Sequence, residues 1–387
     1  MQAKPEALMT PQPQTQAVSR GDSSVRSWVD ESARYLLIAP AILIVLVLAI
    51  FPLLVSLYLS FSRFKFVKGG FEINFIGLKN YEKLLFGSEQ RHVLGKFGEV
   101  PLTGWLLYGA FMGLMLYLLY QYATSERLSG FGFVMRVISV VFAGGLALLA
   151  LLTLGAGGLP GTLIVTLMFV FGGVALQYLL GLGLGLLLTQ NLPGKRFFRV
   201  IFLLPMMITP VGIGFLFKMM TDTLKGPFSP VWLAAGLGDF AMLGQADTAR
   251  LAVIIGDTWQ WTPFMFIILL AALEGISKET IEAALVDGAN RLQMFRFIIL
   301  PDVIPVSTTV ILIRLIESFK IIDMPNILTG GGPGTATETM TLQAYSGWRS
   351  GNLGESAALA YLLLIVATFC AMVFINFIRR RLLNWTV

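Results

Sequence analysis

The sequence predicts an all-α polytopic membrane protein with about eight transmembrane helices, and three observations carry that prediction. Hydrophobic residues fill 56% of the 387 positions and charged residues only 13%, with a mean hydropathy of +0.77, far from the balance of a water-soluble domain. The apolar residues fall in runs of about 20, the length that crosses a hydrocarbon core. The charges punctuate those runs: Arg63, Lys65 and Lys68 follow one, and Arg379, Arg380 and Arg381 close another. A net charge of +6 dispersed in this way forms no patch for nucleic acid.

Residues 1–34 are rich in Gln, Pro, Ser and Thr and read as a disordered tail. They are no signal peptide, because the apolar run that follows starts too late and is too long. The first span covers 35–61, with Pro40 and Pro52 near its ends. A polar section follows, in which Phe75 to Phe86 has the mixed pattern of an amphipathic surface helix. Two apolar runs, 105–122 and 133–155, joined by a connection that carries Glu126 and Arg127, form a membrane hairpin that adds lipid-facing surface.

The span 162–188 contains Gly181 and Gly185, a GxxxG pair that lets helices approach closely. Lys195, Arg196 and Arg199 open a span reaching residue 220, broken by Pro205 and Pro210. Prolines at membrane depth free carbonyls that neighbours or water must satisfy, which suits helices lining a cavity. A Gly- and Pro-rich loop (225–244) precedes the span 251–273. A polar interlude and the span 303–322 come next, then a glycine-rich stretch, 328–334, expected to be a tight exposed turn. The last span is 357–378, and 382–387 make a short tail.

An even number of spans puts both termini on one side. Lys195, Arg196, Arg199, Lys278, Arg291, Arg296 and Arg379 to Arg381 all fall there, which makes it the cytoplasmic side. Arg63, Lys65, Lys68, Lys79 and Lys83 in the first outer loop run against the rule.

Several chemistries are excluded. Gly194-Lys195 is followed by Arg196, and Thr189 stands where a P-loop needs its first glycine, so the chain is not its own P-loop ATPase. Cys370 has no second cysteine to pair with, and the single His92 has no cysteine or histidine partner, so neither a metal nor a cofactor is expected.

Polar residues inside the spans are the candidates for function, because a charge at mid-membrane costs roughly 2.5–3.5 kcal/mol and must face protein or water. Arg314, Glu317, Lys320 and Asp323 recur every three residues with alternating sign. The spacing predicts pairs within the helix, Arg314 with Glu317 and Glu317 with Lys320. Such a stripe either lines a pathway or holds two spans together. Asp257, Trp259, Gln260 and Trp261 combine flat aromatic faces with hydrogen-bonding groups, a set that suits sugar rings. Tryptophans near a membrane interface also serve as belt residues.

The polar interlude 277–301 is the most informative stretch. Ser277 is placed to cap a helix, with Glu279 at its positive end. Gly288 stands where a left-handed residue would turn the chain, and a second helix, 292–300, is expected to stop at Pro301. The reading is two short helices around a glycine turn, presenting a flat alanine surface outward. An ordinary helix lying on the membrane surface would share that pattern.

Glu282-Ala283-Ala284, Gly288 after three intervening residues with Asp287 before it, and then Ile298, Leu300 and Pro301, resemble the EAA motif of the permease subunits of binding-protein-dependent ABC importers. The stretch Leu328 to Gly334, LTGGGPG, followed by ATET, resembles the outer loop of carbohydrate permeases of the maltose type, as does the segment Phe75 to Phe86 after the first span. The resemblance covers residues 161–381 as the importer core, and the first span with its outer segment within 35–160. The hairpin departs from the common six-span pattern.

The resemblance implies the type I importer fold, with 277–301 as a cytoplasmic coupling loop that engages a separate ATPase through Glu282 to Gly288. It implies a second permease subunit, two ATPase copies, an extracytoplasmic solute-binding protein, a sugar substrate, and no chemistry in this chain. Asp257, Trp259, Gln260, Trp261, Arg314, Glu317 and Lys320 are then the candidates for the pathway. The rival is an ion-coupled secondary transporter using Asp257 or Glu317, which internal inverted repeats would favour.

Overall fold

Each apolar run becomes a helix, because backbone groups in lipid must be satisfied within their own segment. The computed structural model of the protein describes residues 33, 35, 37–124, 129–190, 192–236 and 241–383, without the side chains of 131 and 376–383. The tail 1–32, the connection residues Glu126 and Arg127, and 384–387 lie outside the described residues. Among the described residues, seven helices are long and apolar enough to cross a membrane, and counting as one span the pair Lys195–Met207 and Pro210–Thr221, bent by 97°, makes eight. Two compact units divide the chain at residues 58 and 59.

The first unit carries most of α1 (Leu37–Ser60), which widens into a π-helical turn at Leu46–Ile50. The second opens with a feature the sequence reading does not foresee, the antiparallel hairpin β1 (Ser62–Val67) and β2 (Gly70–Phe75). Its two-residue loop, Lys68-Gly69, has Gly69 at φ +93°, the conformation a tight hairpin needs and glycine adopts without strain. Phe64 stacks on Phe71 across the pair at 5.4 Å.

Helix α2 (Lys79–Leu85) then anchors the chain, as the Asn80 amide donates to the carbonyls of Ser60 and Ser62. After the single turn α3 (Gln90–Val93), strand β3 (Gly95–Lys96) pairs with β4 (Leu159–Pro160). Between those strands run α4 (Leu102–Ala123) and α5 (Gly130–Leu154), so the hairpin leaves and re-enters the fold at one pinned root.

The interior is α6 (Thr162–Leu188). After it come α7 (Lys195–Met207), α8 (Pro210–Thr221), the short α9 (Ser229–Ala234) and α10 (Ala246–Glu274), which lies along α6. Contact between α6 and α10 is set by small residues: a methyl added at Gly181 would meet Met265 Cβ at 2.7 Å. The bend between α7 and α8 falls at Thr209, which is extended because a proline follows it and which caps α8 by accepting from Gly212 N–H.

Helix α11 (Lys278–Val286) leads into α12 (Arg291–Ser318). Pro301 does not end a helix as the sequence reading expects. Instead α12 opens into a π-helical turn at Phe295–Ile299 just before it, which absorbs the missing N–H and the ring's clash with the preceding turn. The chain leaves the helix after Ser318, earlier than expected, and continues through α13 (Asp323–Thr329), α14 (Met340–Arg349) and α15 (Leu353–Leu383).

The stretch 328–334 is less exposed than predicted, with Gly331 buried and the following Ala336, Thr337 and Thr339 buried as well. Buried Arg250 donates to the Ala336 carbonyl at 2.8 Å, and Thr339 Oγ1 donates to Ile321 O. Around Gly334 and Thr335 the chain is exposed.

Candidate functional site

Two places gather the residues singled out in the sequence. The first is a buried polar network across α6, α10 and α12. Arg314, 3% exposed, reaches from α12 to Asp257 of α10, 5% exposed, with Nη2 to Oδ2 at 3.1 Å and to Oδ1 at 3.3 Å. Its Nε donates to Gln177 Oε1 of α6 at 2.8 Å, and Gln177 Nε2 donates to Asp257 Oδ2 at 2.8 Å. The three side chains close a ring, each bonded to the other two. Inside a membrane protein this arrangement answers the desolvation cost, since charge meets charge and the amide fills remaining donor and acceptor positions. The Arg314 guanidinium also lies 4.4 Å over the Trp261 ring.

The ring corrects the expected pairing of Arg314 with Glu317, because Arg314 turns inward to Asp257 while Glu317 pairs with Lys320 at 2.9 Å. The helix ends at Ser318, so the three-residue stripe stops being one face there, and Asp323 falls in the first turn of α13.

A cavity of about 170 Å³ beside the ring is lined by Asp257, Gln260, Trp261, Arg314, Glu317 and Lys320, together with Asp323 and Pro210. Trp259 is not among them: it projects elsewhere, edge-on to Phe217 at 5.8 Å. On a helix, positions 259 and 261 lie far apart in azimuth, so the aromatic pair of the sequence cannot share one face. Gln177 was missed by sequence reasoning. Its signal was an amide alone in the middle of a 27-residue apolar helix.

The second place is the loop between α10 and α12. Ser277 Oγ accepts from Thr280 N–H at 3.2 Å and caps α11. The helix closes on a Schellman turn: Gly288 N–H donates to Leu285 O, Ala289 N–H donates to Ala284 O, and Gly288 takes φ +79°. Asn290 and Gln293 then form a reciprocal capping box that starts α12.

The outward surface differs from the alanine face expected. Ala284, whose carbonyl accepts the closing bond of the turn, is buried against the chain itself, while Glu282, Ala283, Asp287 and Gly288 are exposed. The apolar side chains presented outward are Leu285, 57% exposed, and Val286, 88% exposed. Ile298 sits in the π-helical turn, and Leu300 and Pro301 open the regular part of α12; all three are half-buried.

A sequence profile described as "Binding-protein-dependent transport system inner membrane component" matches residues 177–384, which hold the Gln177–Asp257–Arg314 ring and the whole loop between α10 and α12. The chain belongs to this family. Among its relatives is a trehalose/maltose transport system permease protein from Thermococcus litoralis, 32% identical over 212 residues, which are 55% of this chain and 72% of that protein. A probable permease of a transport system for starch degradation products, from Thermoanaerobacterium thermosulfurigenes, is 29% identical over 218 residues, covering 56% of this chain and 74% of the relative. Among solved structures, a chain of a bacterial ABC transporter involved in the import of alginate superposes with a TM-score of 0.53 at 21% identity, over 72% of this chain and 96% of that one. The last likeness concerns the fold alone. As a member of this permease family the chain is a membrane-spanning transport subunit.

Proposed function

We propose that this chain is the permease subunit of an ATP-driven importer for a sugar or a related solute, in the inner membrane, with both termini cytoplasmic. A separate ATPase, in two copies, docks at the α11 loop, and a second permease completes the pathway. An extracytoplasmic solute-binding protein delivers the ligand, and the chain hydrolyses no ATP itself. Residues 161–381 form the transporting core, and 35–160 add the first span, the outer segment and the inserted hairpin.

One observation carries this reading: the EAA stretch folds into a capped helix that turns its apolar side chains Leu285 and Val286 away from its own chain, immediately before a continuous span that bears Arg314. Exposed apolar side chains on a short rigid helix suit insertion into a groove of another protein. The sugar class draws support from what the two relatives are named for. Trp261 and Gln260 at the cavity offer a ring face and a hydrogen-bonding edge to such a solute.

The test is a reconstituted complex with its binding protein, in which ATP hydrolysis is measured against a panel of sugars. Stimulation by one of them is expected, and Val286→Glu or Gly288→Val should abolish it while membrane insertion stays normal. Wild-type stimulation in both variants would leave an ordinary surface helix as the better account. Uptake that persists on a proton gradient without ATP would favour the ion-coupled transporter.

A further inference from the structure

The β1–β2 hairpin sorts its side chains into two faces. Alternation puts Phe64 and Phe66 of β1 on one face with Phe71 and Ile73 of β2, and the register pairs Phe64 with Ile73 and Phe66 with Phe71. Arg63 and Lys65 stand on the other face, opposite Asn74 and Glu72, and Lys68 is at the tip. Phe66 is 71% exposed and Phe71 63%, so the chain itself leaves the aromatic face largely open. A two-stranded hairpin is marginal on its own in water, and this one needs something beneath its apolar face.

The setting of the hairpin says what that is. Strand β1 begins two residues after Ser60, where α1 ends, and α1 is long and apolar enough to cross a membrane. The strand also packs against the start of α15, a second helix of that kind. Gly354, in the first turn of α15, has no room for a methyl because the Ser62 carbonyl stands there. A methyl added at Gly351 would meet the Phe66 ring at 3.5 Å. Both ends of β1 therefore rest where a span meets the membrane surface, and the strand follows that boundary. The aromatic face is the one that meets Gly351, which turns it toward the boundary and the cations away from it.

The cations complete the match. Among the described residues Arg63, Lys65 and Lys68 form no ion pair, although Lys65 faces Glu72 in the register. Aromatic rings at the boundary with cations above them are the pattern of an element lying in the interface, its cations among lipid phosphates. A protein docking from the water would meet the cationic face first and leave the rings unaccounted for.

We propose that the β1–β2 hairpin lies in the membrane interface. Phe64, Phe66, Phe71 and Ile73 dip into the boundary between headgroups and acyl chains, and Arg63, Lys65 and Lys68 sit at lipid phosphates. The leaflet is the outer one, which rests on the orientation proposed above. Those three cations, which run against the positive-inside rule, thereby gain a use unrelated to topology.

The experiment uses the full complex in nanodiscs of phosphatidylglycerol and phosphatidylcholine, with Cys370→Ala as background. A nitroxide is placed on Phe71→Cys, Glu72→Cys or Ile73→Cys. Its collisions with oxygen, which concentrates in lipid, are compared with those of a water-soluble nickel chelate. The oxygen-to-nickel ratio should be severalfold higher at Phe71 than at Glu72, and Ile73 should repeat the Phe71 value with the Phe64–Phe71 stack intact. Arg63→Gln with Lys65→Gln and Lys68→Gln should lower the Ile73 ratio in these discs and leave it unchanged in pure phosphatidylcholine. No effect in either lipid would overturn the role given to the cations. Equal ratios at the three positions would overturn the whole proposal. So would rings that nickel reaches until the loaded solute-binding protein is added, since that protein would then be their partner. A face closed to both reagents would overturn it as well, by showing that polypeptide covers it. Nanodiscs expose both sides of the bilayer, so these outcomes do not depend on the leaflet. Nickel chelate added outside intact spheroplasts reads the leaflet separately, at Glu72→Cys.

Discussion

Helices α6 and α10 form the interior of this protein, and α4 and α5 form an exposed membrane hairpin, yet all four are apolar enough to insert. Of the most apolar stretch of each helix, 56% is buried in α6 and 61% in α10, against 6% in α4 and 11% in α5. In water, apolarity would have sent all four inward. In a bilayer the tails outside are as apolar as any core, so hydropathy decides insertion and says nothing of burial. What separates the pairs is the rest of their composition. The interior pair carries Gln177, Asp257, Thr258, Gln260 and Thr262, and glycines whose Cα faces a neighbouring helix. In the hairpin Gly104 and Gly144 meet side chains of the facing helix, at Leu151 and Met112, while Gly109, Gly113 and Gly145 face open space.

The sharpest way to break this comparison is to remove one member of the polar ring. Arg314→Met leaves Asp257 buried and unpaired, and should cost roughly 3–5 kcal/mol, read as loss of folded protein in detergent and a lower Tm. The double variant Arg314→Met with Asp257→Leu should recover most of that loss. A double variant as unstable as the single would mean that the ring contributes by shape and not by charge pairing.

The next effect is smaller and tests the glycines. Gly181→Val drives a side chain into Met265 and Phe266 and should destabilise by about 1–3 kcal/mol, whereas Gly109→Val in the hairpin should be nearly neutral. Thermal unfolding of both variants side by side checks it. Equal losses would mean that the hairpin is covered in the assembled complex.

The smallest effect concerns the hairpin's root. The single histidine, His92 of α3, donates through Nε2 to Glu338 at 2.7 Å and has Glu89 at 3.5 Å from Nδ1, which ties the root to the chain before α14. The Glu338 bond, and then Glu89, hold its pKa above the usual 6.5 against the opposing effect of partial burial. A pKa raised on folding stabilises the protein in full below 6.5, and the contribution fades as pH rises through the folded value. The Tm difference between wild type and His92→Gln should therefore be largest in mild acid and shrink toward alkaline pH. A difference that is flat with pH would show that the imidazole serves only as a neutral hydrogen-bond donor.

The spans were legible because each apolar run must satisfy its own backbone, and Ser277 and Gly288 were legible because capping and positive φ demand particular residues. The pairing of Arg314 was not. Its carboxylate partner lies 57 positions away in the sequence, and only the packing of α10 on α12 brings the two together. The inward turn of Ala284 was hidden for a related reason. An alanine carries no mark of which side it faces. Pro301 misled because a proline signals trouble in a regular helix, and the π-helical turn before it had no signature of its own.

That turn has a mechanical consequence. From Leu300 to Arg314 the helix runs about 21 Å with Pro305 inside it, its start at the widened turn beside the α10–α12 loop and its far end held by two partners on two other helices. A tilt of about 5° at that turn would carry the far end about 2 Å, farther than its bonds can stretch. A displacement of that size is therefore expected to break the ring of three side chains and not to stretch it.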